Sequence, residues 1–221
     1  MSRWEIRIAT VIAVMALGLI PTATTAAEQP GLAIASLETL PVKGRAPKTG
    51  YTRDQFGQAW ADVDRNGCDT RNDILKRDLT SITYKAKTRN CVVLSGTLLD
   101  RYSGESINFV RGNITSMEVQ IDHVVALSNA WQTGAFKLTA EQRKALANDP
   151  INLFAVKGRL NSQKGDGDAA TWLPPLKSFR CAYVAQQIAV KAKYSLWVVP
   201  PEKAAMLSIL AKCPTQKLPV S

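Results

Sequence analysis

The sequence predicts one α+β domain closed by two disulfide bonds. Segments 91–109, 117–127 and 151–158 are rich in β-branched and other strand-forming residues. Segments with helix start signals lie between and after them, at 139–149 and 178–212. The chain also contains four cysteines, an even number. Strands and helices mixed along one chain favour the α+β class.

Residues 1–27 have the order of regions typical of a secretory signal peptide. Two arginines precede an apolar run over 8–20, and a stretch of small residues follows it. The apolar run is shorter than the roughly 20 residues that span a bilayer. We therefore expect cleavage after Ala26 or Ala27, and a secreted or periplasmic mature protein without a membrane segment.

The chain is strongly basic. Its net charge is +10, and residues 1–27 contain two Arg and one Glu, so the remainder keeps a charge of +9. Such a surplus on a small exported protein indicates an acidic partner, with nucleic acid as the leading candidate. A basic soluble protein without such a partner is the alternative. The sequence gives no indication of oligomerisation.

The cysteines are Cys68, Cys91, Cys181 and Cys213. An even number in an exported chain indicates disulfides, and the lack of a CxxC pair argues against a structural zinc site. Three pairings are possible, and we favour the sequential one, Cys68–Cys91 and Cys181–Cys213. Each bond would contribute about 3–4 kcal/mol in the chain-entropy account.

The N-terminal half is predicted as follows. Residues 28–50 are rich in Pro, Gly, Ala and Lys, which predicts a loosely held, flexible leader. Segment 51–63 has aromatic residues at helical spacing and predicts a short amphipathic helix. Segment 64–75 is dense in Asp, Asn and Gly, which predicts a tight loop into a regular element. Segment 91–109 predicts two strands joined by a turn.

The C-terminal half alternates between the two element types. Segment 117–127 predicts a strand that ends in Asp-His, and 128–135 and 139–149 predict helices. Segment 151–158 predicts a second strand, and 159–168 predicts a short helix that breaks at a glycine.

Two further helices are predicted within 178–212, the second beginning at Pro200. We take 51–213 as one domain and 214–221 as a C-terminal tail.

His123 is the single histidine of the sequence and directly follows Asp122. A zinc site built on several histidines is therefore excluded, no GxSxG elbow occurs, and the cysteines are better used as disulfides than as a protease nucleophile. One histidine beside one carboxylate can supply a general base next to a metal ligand. Because neighbouring side chains of a strand point to opposite faces, the two converge only where the strand ends or bends.

Two asparagines and a lysine downstream complete the candidate set. Mg²⁺ takes oxygen ligands and keeps several waters, so one or two protein oxygens suffice. Asp122 supplies one ligand, and Asn152 and Asn161 follow on the second strand and the short helix. Lys164 lies one helical turn after Asn161.

This order of elements resembles the ββα-metal (HNH) endonuclease motif. The segments "IDHVVAL", "NDPINLFAV" and "LNSQKGDGDAATWLPP", with "FGQAWADVDRNGCDTRNDIL" upstream, resemble exported HNH-family endonucleases related to the GmrSD restriction endonuclease C-terminal domain. The resemblance covers about 51–213. The sequence departs from the motif at its third position, which is Asn161 rather than His.

The resemblance implies a role for each candidate residue. His123 would be the general base, and Asp122 and Asn161 would bind one divalent ion, Mg²⁺ in preference to Mn²⁺ or another metal. Asn152 would hold the loop and orient the His123 ring. Lys164 would contact phosphate, although a solvated helix charge explains it equally well. The substrate would be DNA, with RNA as an alternative.

Other interpretations stay open. Asp69 and Arg71 could reach the site or the DNA backbone, but a hydrogen-bonded loop beside Cys68 is favoured. The chain could also be an exported nucleic-acid-binding protein on the same scaffold without catalysis. A hydrolase of another polymer, such as a glycosidase, would require two carboxylates that flank a cleft.

Overall fold

A computed structural model of the protein describes Met1 and residues 31–219. The expected signal peptidase site and almost all of the expected signal peptide lie outside the described residues. No helix within 31–219 is both long and apolar enough to cross a bilayer.

The fold is α+β, with seven α-helices and five strands in the described part of the chain. In chain order they are α1 (Ala33–Thr39), α2 (Thr70–Asp78), β1 (Leu79–Tyr84), β2 (Val93–Leu99), β3 (Ser106–Val110), β4 (Val119–His123), α3 (Leu127–Gln132), α4 (Ala140–Asn148), β5 (Leu153–Lys157), α5 (Gly158–Lys164), α6 (Arg180–Lys193) and α7 (Pro200–Leu210).

The strands form two antiparallel sheets. The first has the order β1-β2-β3, and β2 and β3 are joined by the predicted turn. The second consists of β4 and β5, with His123 opposite Leu153. Helix α2 packs across both sheets through Ile74 and Leu75, which are buried in a cluster with β2, β3, β4 and β5 residues.

Helix α5 follows β5 directly and packs against both strands of the second sheet. Gly158 makes this possible, because a Cβ there would lie 1.9 Å from the Met117 carbonyl oxygen. The helix ends at Gly165, whose φ of +54° lies in the left-handed region that glycine tolerates. The predicted succession of strand, insertion, strand and short helix is confirmed.

The expectation of a flexible leader is wrong for residues 31–50. Ala33 and Leu37 of α1 are fully buried against α6 and α7, and Gly44 O accepts a hydrogen bond from Trp197 Nε1 at 3.0 Å. The apolar face of α1 spans only two turns, too few for a sustained period in the sequence. Its order therefore comes from tertiary packing.

The helix predicted over 51–63 is also wrong. The segment forms one 3₁₀ turn at Arg53–Phe56. Gly57 and Trp60 then have φ angles of +73° and +57°, which a helix cannot contain.

Both predicted disulfides are confirmed. Cys68–Cys91 ties the loop before α2 to the start of β2, and Cys181–Cys213 ties the first turn of α6 to the residue three beyond α7. Their Cα atoms are 5.0 Å and 6.5 Å apart.

Candidate active site

A cleft of about 380 Å³ lies between the 3₁₀ turn, α2, β4 and α5. Asp122, His123 and Asn161 all line it, together with Arg53 and Arg71. The structure thus brings together three of the five predicted site residues. The other two, Asn152 and Lys164, are buried and do not line the cleft.

His123 is buried at the end of β4 and its ring is held on two sides. Nε2 lies 2.9 Å from the carbonyl oxygen of Ala147 at the end of α4. Trp60 stacks on the imidazole with ring centroids 6.0 Å apart and planes inclined by 17°. A carbonyl can only accept a hydrogen bond, so Nε2 carries the proton of the neutral ring and Nδ1 carries the lone pair. Nδ1 has no hydrogen-bond partner within the described chain.

Burial lowers the pKa of His123 from 6.5 to about 4. The hydrogen bond with the Ala147 carbonyl opposes this change, whereas the positive charges of Arg53 and Lys164 lower the pKa further. The ring is therefore neutral at pH 7, and Nδ1 is available as a proton acceptor.

Asp122 is 3% exposed and its carboxylate is held by two donors. Lys164 Nζ donates to Oδ1 at 2.9 Å, and the hydroxyl of the buried Tyr102 donates to Oδ2 at 2.5 Å. Burial raises the pKa of the Asp122 carboxyl, while Lys164 and Tyr102 act in the opposite direction. Both donors fix the orientation of the carboxylate.

The role predicted for Lys164, a contact with phosphate, is incompatible with its position. The side chain is fully buried, and Nζ also donates to the main-chain oxygen of His123 at 2.7 Å. The alternative of a solvated helix charge is excluded by the same burial. An ammonium out of water requires an anionic partner, and Asp122 supplies it.

Asn161 is half-buried on α5, and its Nδ2 donates to Gln120 Oε1 at 2.9 Å. This bond orients the amide and leaves Oδ1 without a hydrogen-bond partner in the described chain.

Asn152 is fully buried and holds the loop that follows β4. Its Oδ1 accepts from Val125 N at 2.8 Å, and its Nδ2 is 3.3 Å from the carbonyl oxygens of Val125 and Leu146. These contacts hold the loop in place. Direct orientation of the His123 ring is wrong, because Ala147 and Trp60 hold that ring.

The donor set can be compared with the preferences of a metal ion. No cluster of three or more His, Cys, Asp or Glu side chains suited to a metal occurs within 31–219. Asp122 and Asn161 nevertheless bring oxygen donors to one cleft, and hard cations such as Mg²⁺ take oxygen ligands and retain waters. A carboxylate has about four lone-pair sites, and Asp122 uses two of them. The residues therefore fit a hard cation, with the Lys164 ammonium beside it.

Comparison with known proteins gives the family. The model of the GmrSD restriction endonucleases, C-terminal domain, matches residues 69–209, which contain all five predicted site residues. The chain belongs to this family. An uncharacterized secreted protein of Arthroderma benhamiae is 37% identical over 196 residues, which cover 88% of this chain and 87% of that protein. No solved structure matches. Membership of the GmrSD family indicates a nuclease-related function.

Sequence reasoning missed Trp60, Tyr102 and Ala147 as neighbours of the GmrSD-type site. Trp60 was visible only as one aromatic residue of a predicted helix, and Ala147 contributes through its main chain alone. Asp69 caps α2 through Asn72 N at 2.8 Å, as the loop interpretation predicts. Arg71, however, lines the cleft.

Proposed function

We propose that this protein is an exported endonuclease of the ββα-metal (HNH) type that hydrolyses phosphodiester bonds of DNA. The observation that carries the proposal is a neutral His123 with a free Nδ1, in the same cleft as Asp122 and Asn161. The succession β4, β5 and α5 supports the ββα assignment. The secreted relative supports export.

His123 acts as the general base. Nδ1 takes the proton of the attacking water, and general-base catalysis of this kind contributes about 10²–10⁴-fold. The Ala147 carbonyl keeps the single N–H proton of the neutral ring on Nε2, so Nδ1 presents its lone pair to the water. When the ring becomes charged, the face of Trp60 and the Ala147 oxygen both stabilise the cation.

Asp122 and Asn161 would hold the divalent ion, for which we propose Mg²⁺, with Mn²⁺ as the alternative. A bound cation supplies stabilisation of the negative charge that builds on the phosphate and the leaving oxygen. Tyr102 and Lys164 oppose the effect of burial on the pKa of the Asp122 carboxyl and fix the direction of the group.

One observation favours a second candidate function, nucleic-acid binding without cleavage. Lys164 already neutralises Asp122, so a metal must share that carboxylate with an ammonium. If the ammonium excludes the metal, the scaffold binds DNA but does not cut it.

Plasmid nicking separates the two candidates. Supercoiled plasmid is incubated with the purified protein in Mg²⁺, in EDTA, and in EDTA followed by excess Mg²⁺. We expect open-circular and linear products with Mg²⁺, none in EDTA, and recovery when Mg²⁺ is restored. Binding without nicking under Mg²⁺ or Mn²⁺ would favour the second candidate, and cleavage unchanged by EDTA would contradict the metal assignment.

A further inference from the structure

Arg71 lies in the first turn of α2 and faces the same cleft as His123 and Asn161. Its position is fixed from two sides. Asp69 caps the helix through Asn72 N, and the Cys68–Cys91 disulfide holds the loop just before the cap. The guanidinium is thus presented to the cleft by a rigid element.

This guanidinium is half-buried, yet it makes no hydrogen bond or ion pair with the described residues. It packs over Phe109, with 5.9 Å between its Cζ and the ring centroid. Burial and the neighbouring Arg111 lower the pKa of Arg71, and Asp69 opposes them only in part. An arginine has five N–H donors, and those of Arg71 are not among the buried unpaired atoms of the described residues, so they remain open to the cleft.

The neighbouring Arg111 provides a contrast with Arg71. Its Nε donates to Val93 O and its Nη2 to Asn72 Oδ1, each at 2.5 Å. Arg111 is therefore a structural residue with its hydrogen bonds made. Arg71 stands beside it with the same charge and with its donors free.

The charge of the cleft has the sign that suits an anion. Arg53 enters it from the 3₁₀ turn and makes no ion pair within the described chain. Asp122 is the one carboxylate among the lining residues, and Lys164 already neutralises it. An anion in this cleft would meet two arginines and no free carboxylate.

We propose that Arg71 is a substrate-binding residue whose guanidinium holds a backbone phosphate of the nucleic acid in the cleft. The inference rests on the proposed function and adds the residue that holds the substrate in place. The planar fork of arginine binds two phosphate oxygens at once, whereas lysine offers a point charge. The contact supplies the partner that the guanidinium lacks in the free protein.

The proposal also predicts the effect of Arg71 on stability. In Arg71→Met the apolar stem still covers Phe109, and the unpaired charge beside Arg111 is removed. The melting temperature should therefore stay the same or rise, while binding weakens. A residue with a merely structural role would show the opposite result, a lower melting temperature.

The test compares Arg71→Met, Arg71→Lys and Lys76→Met, all on α2. Lys76 is exposed and does not line the cleft, so it controls for the loss of one positive charge from the same helix. Affinity for a DNA duplex is measured in EDTA over a range of salt concentrations. We expect Arg71→Met to bind about 10–100-fold more weakly than Lys76→Met, the range for one charged hydrogen-bonded contact. The slope of log affinity against log salt concentration should fall in magnitude by about one for Arg71→Met. The affinity of Arg71→Lys should lie between the affinities of Arg71→Met and Lys76→Met.

The outcomes for Arg71 and for catalysis are separable. If Arg71→Met binds and cuts like Lys76→Met, the inference is overturned, and the nuclease proposal stands if the wild type still cuts. If the wild type never cuts but binds DNA in an Arg71-dependent way, the phosphate contact stands and the nuclease proposal fails. A wild type that does not bind DNA overturns both.

Discussion

Lys164 and Lys191 are both buried lysines, and the two are paired in the same way. Each Nζ lies 2.9 Å from a carboxylate oxygen, of Asp122 in the first pair and of Glu202 in the second. Each also donates to one main-chain carbonyl oxygen, at 2.7 Å and 2.9 Å respectively. Burial lowers the pKa of Lys191, and Glu202 opposes that change.

The two pairs differ in what surrounds the carboxylate. Glu202 accepts from Val199 N at 3.2 Å and fixes the start of α7 inside the helical part of the core. Asp122 borders the cleft and shares its strand with His123. The Lys191–Glu202 pair therefore joins two helices, whereas the Lys164–Asp122 pair holds a residue of the candidate site. Burial and pairing alone do not distinguish these roles, but the neighbouring cleft does.

The largest effect on cleavage is expected from His123, which belongs to neither ion pair. His123→Ala should lower plasmid cleavage by about 10²–10⁴-fold, because the base is lost while Lys164, Asp122 and the main-chain oxygen of residue 123 remain. Gel-based nicking rates and DNA affinity are the measurements. Affinity should survive, and circular dichroism at matched concentration checks the fold. Cleavage at the wild-type rate would remove His123 from the mechanism.

The comparison itself is tested by Lys164→Met and Lys191→Met. Each leaves a buried carboxylate without its cation, which typically costs about 3–5 kcal/mol of unfolding free energy. The two should lose similar stability in urea unfolding. Cleavage per folded molecule should fall only in Lys164→Met, because Asp122 loses its fixed direction.

These variants serve as controls for each other, measured at a temperature at which both are folded. Equal loss of cleavage in both would mean that the two pairs have the same role, and the distinction drawn from the cleft would be wrong.

A smaller effect is expected from the disulfides, which also divide between the two regions. Replacing either pair of cysteines by serine should lower the unfolding free energy by about 3–4 kcal/mol, as expected for loops of this length. The Cys68/Cys91 variant should additionally bind DNA more weakly, because that bond holds the loop before Arg71. The Cys181/Cys213 variant should bind normally. Normal binding in both variants would show that α2 holds its position without the bond.

The part of the fold that was predictable has strong local signals. The strand that ends in Asp122-His123, the second strand and the helix that stops at Gly165 each carry a periodic or turn signal of their own. The disulfide pairing could be predicted from the even number of cysteines and from the shorter loops that sequential pairing closes.

The part that was missed depends on distant residues. A sequence shows the charge of Lys164 but not that Asp122 and the main-chain oxygen of His123 will surround it, so a buried ammonium was taken for a phosphate contact. Trp60 stacks on His123 from a position with a positive φ angle, which the aromatic spacing of the segment does not predict. Leu37 is ordered by helices near the other end of the chain.

That last contact has a consequence for the order in which the protein can fold. Ala33 N donates to Gln216 O at 2.8 Å, and Leu218 N donates to Gly31 O at 3.0 Å. Helix α1 is among the first described segments to leave the ribosome, but its binding surface on α6 and α7 is among the last to be made. Contacts so distant in sequence close slowly. Until the C-terminal residues arrive, the apolar face of α1 lacks its packing surface on α6 and α7 and stays exposed to solvent.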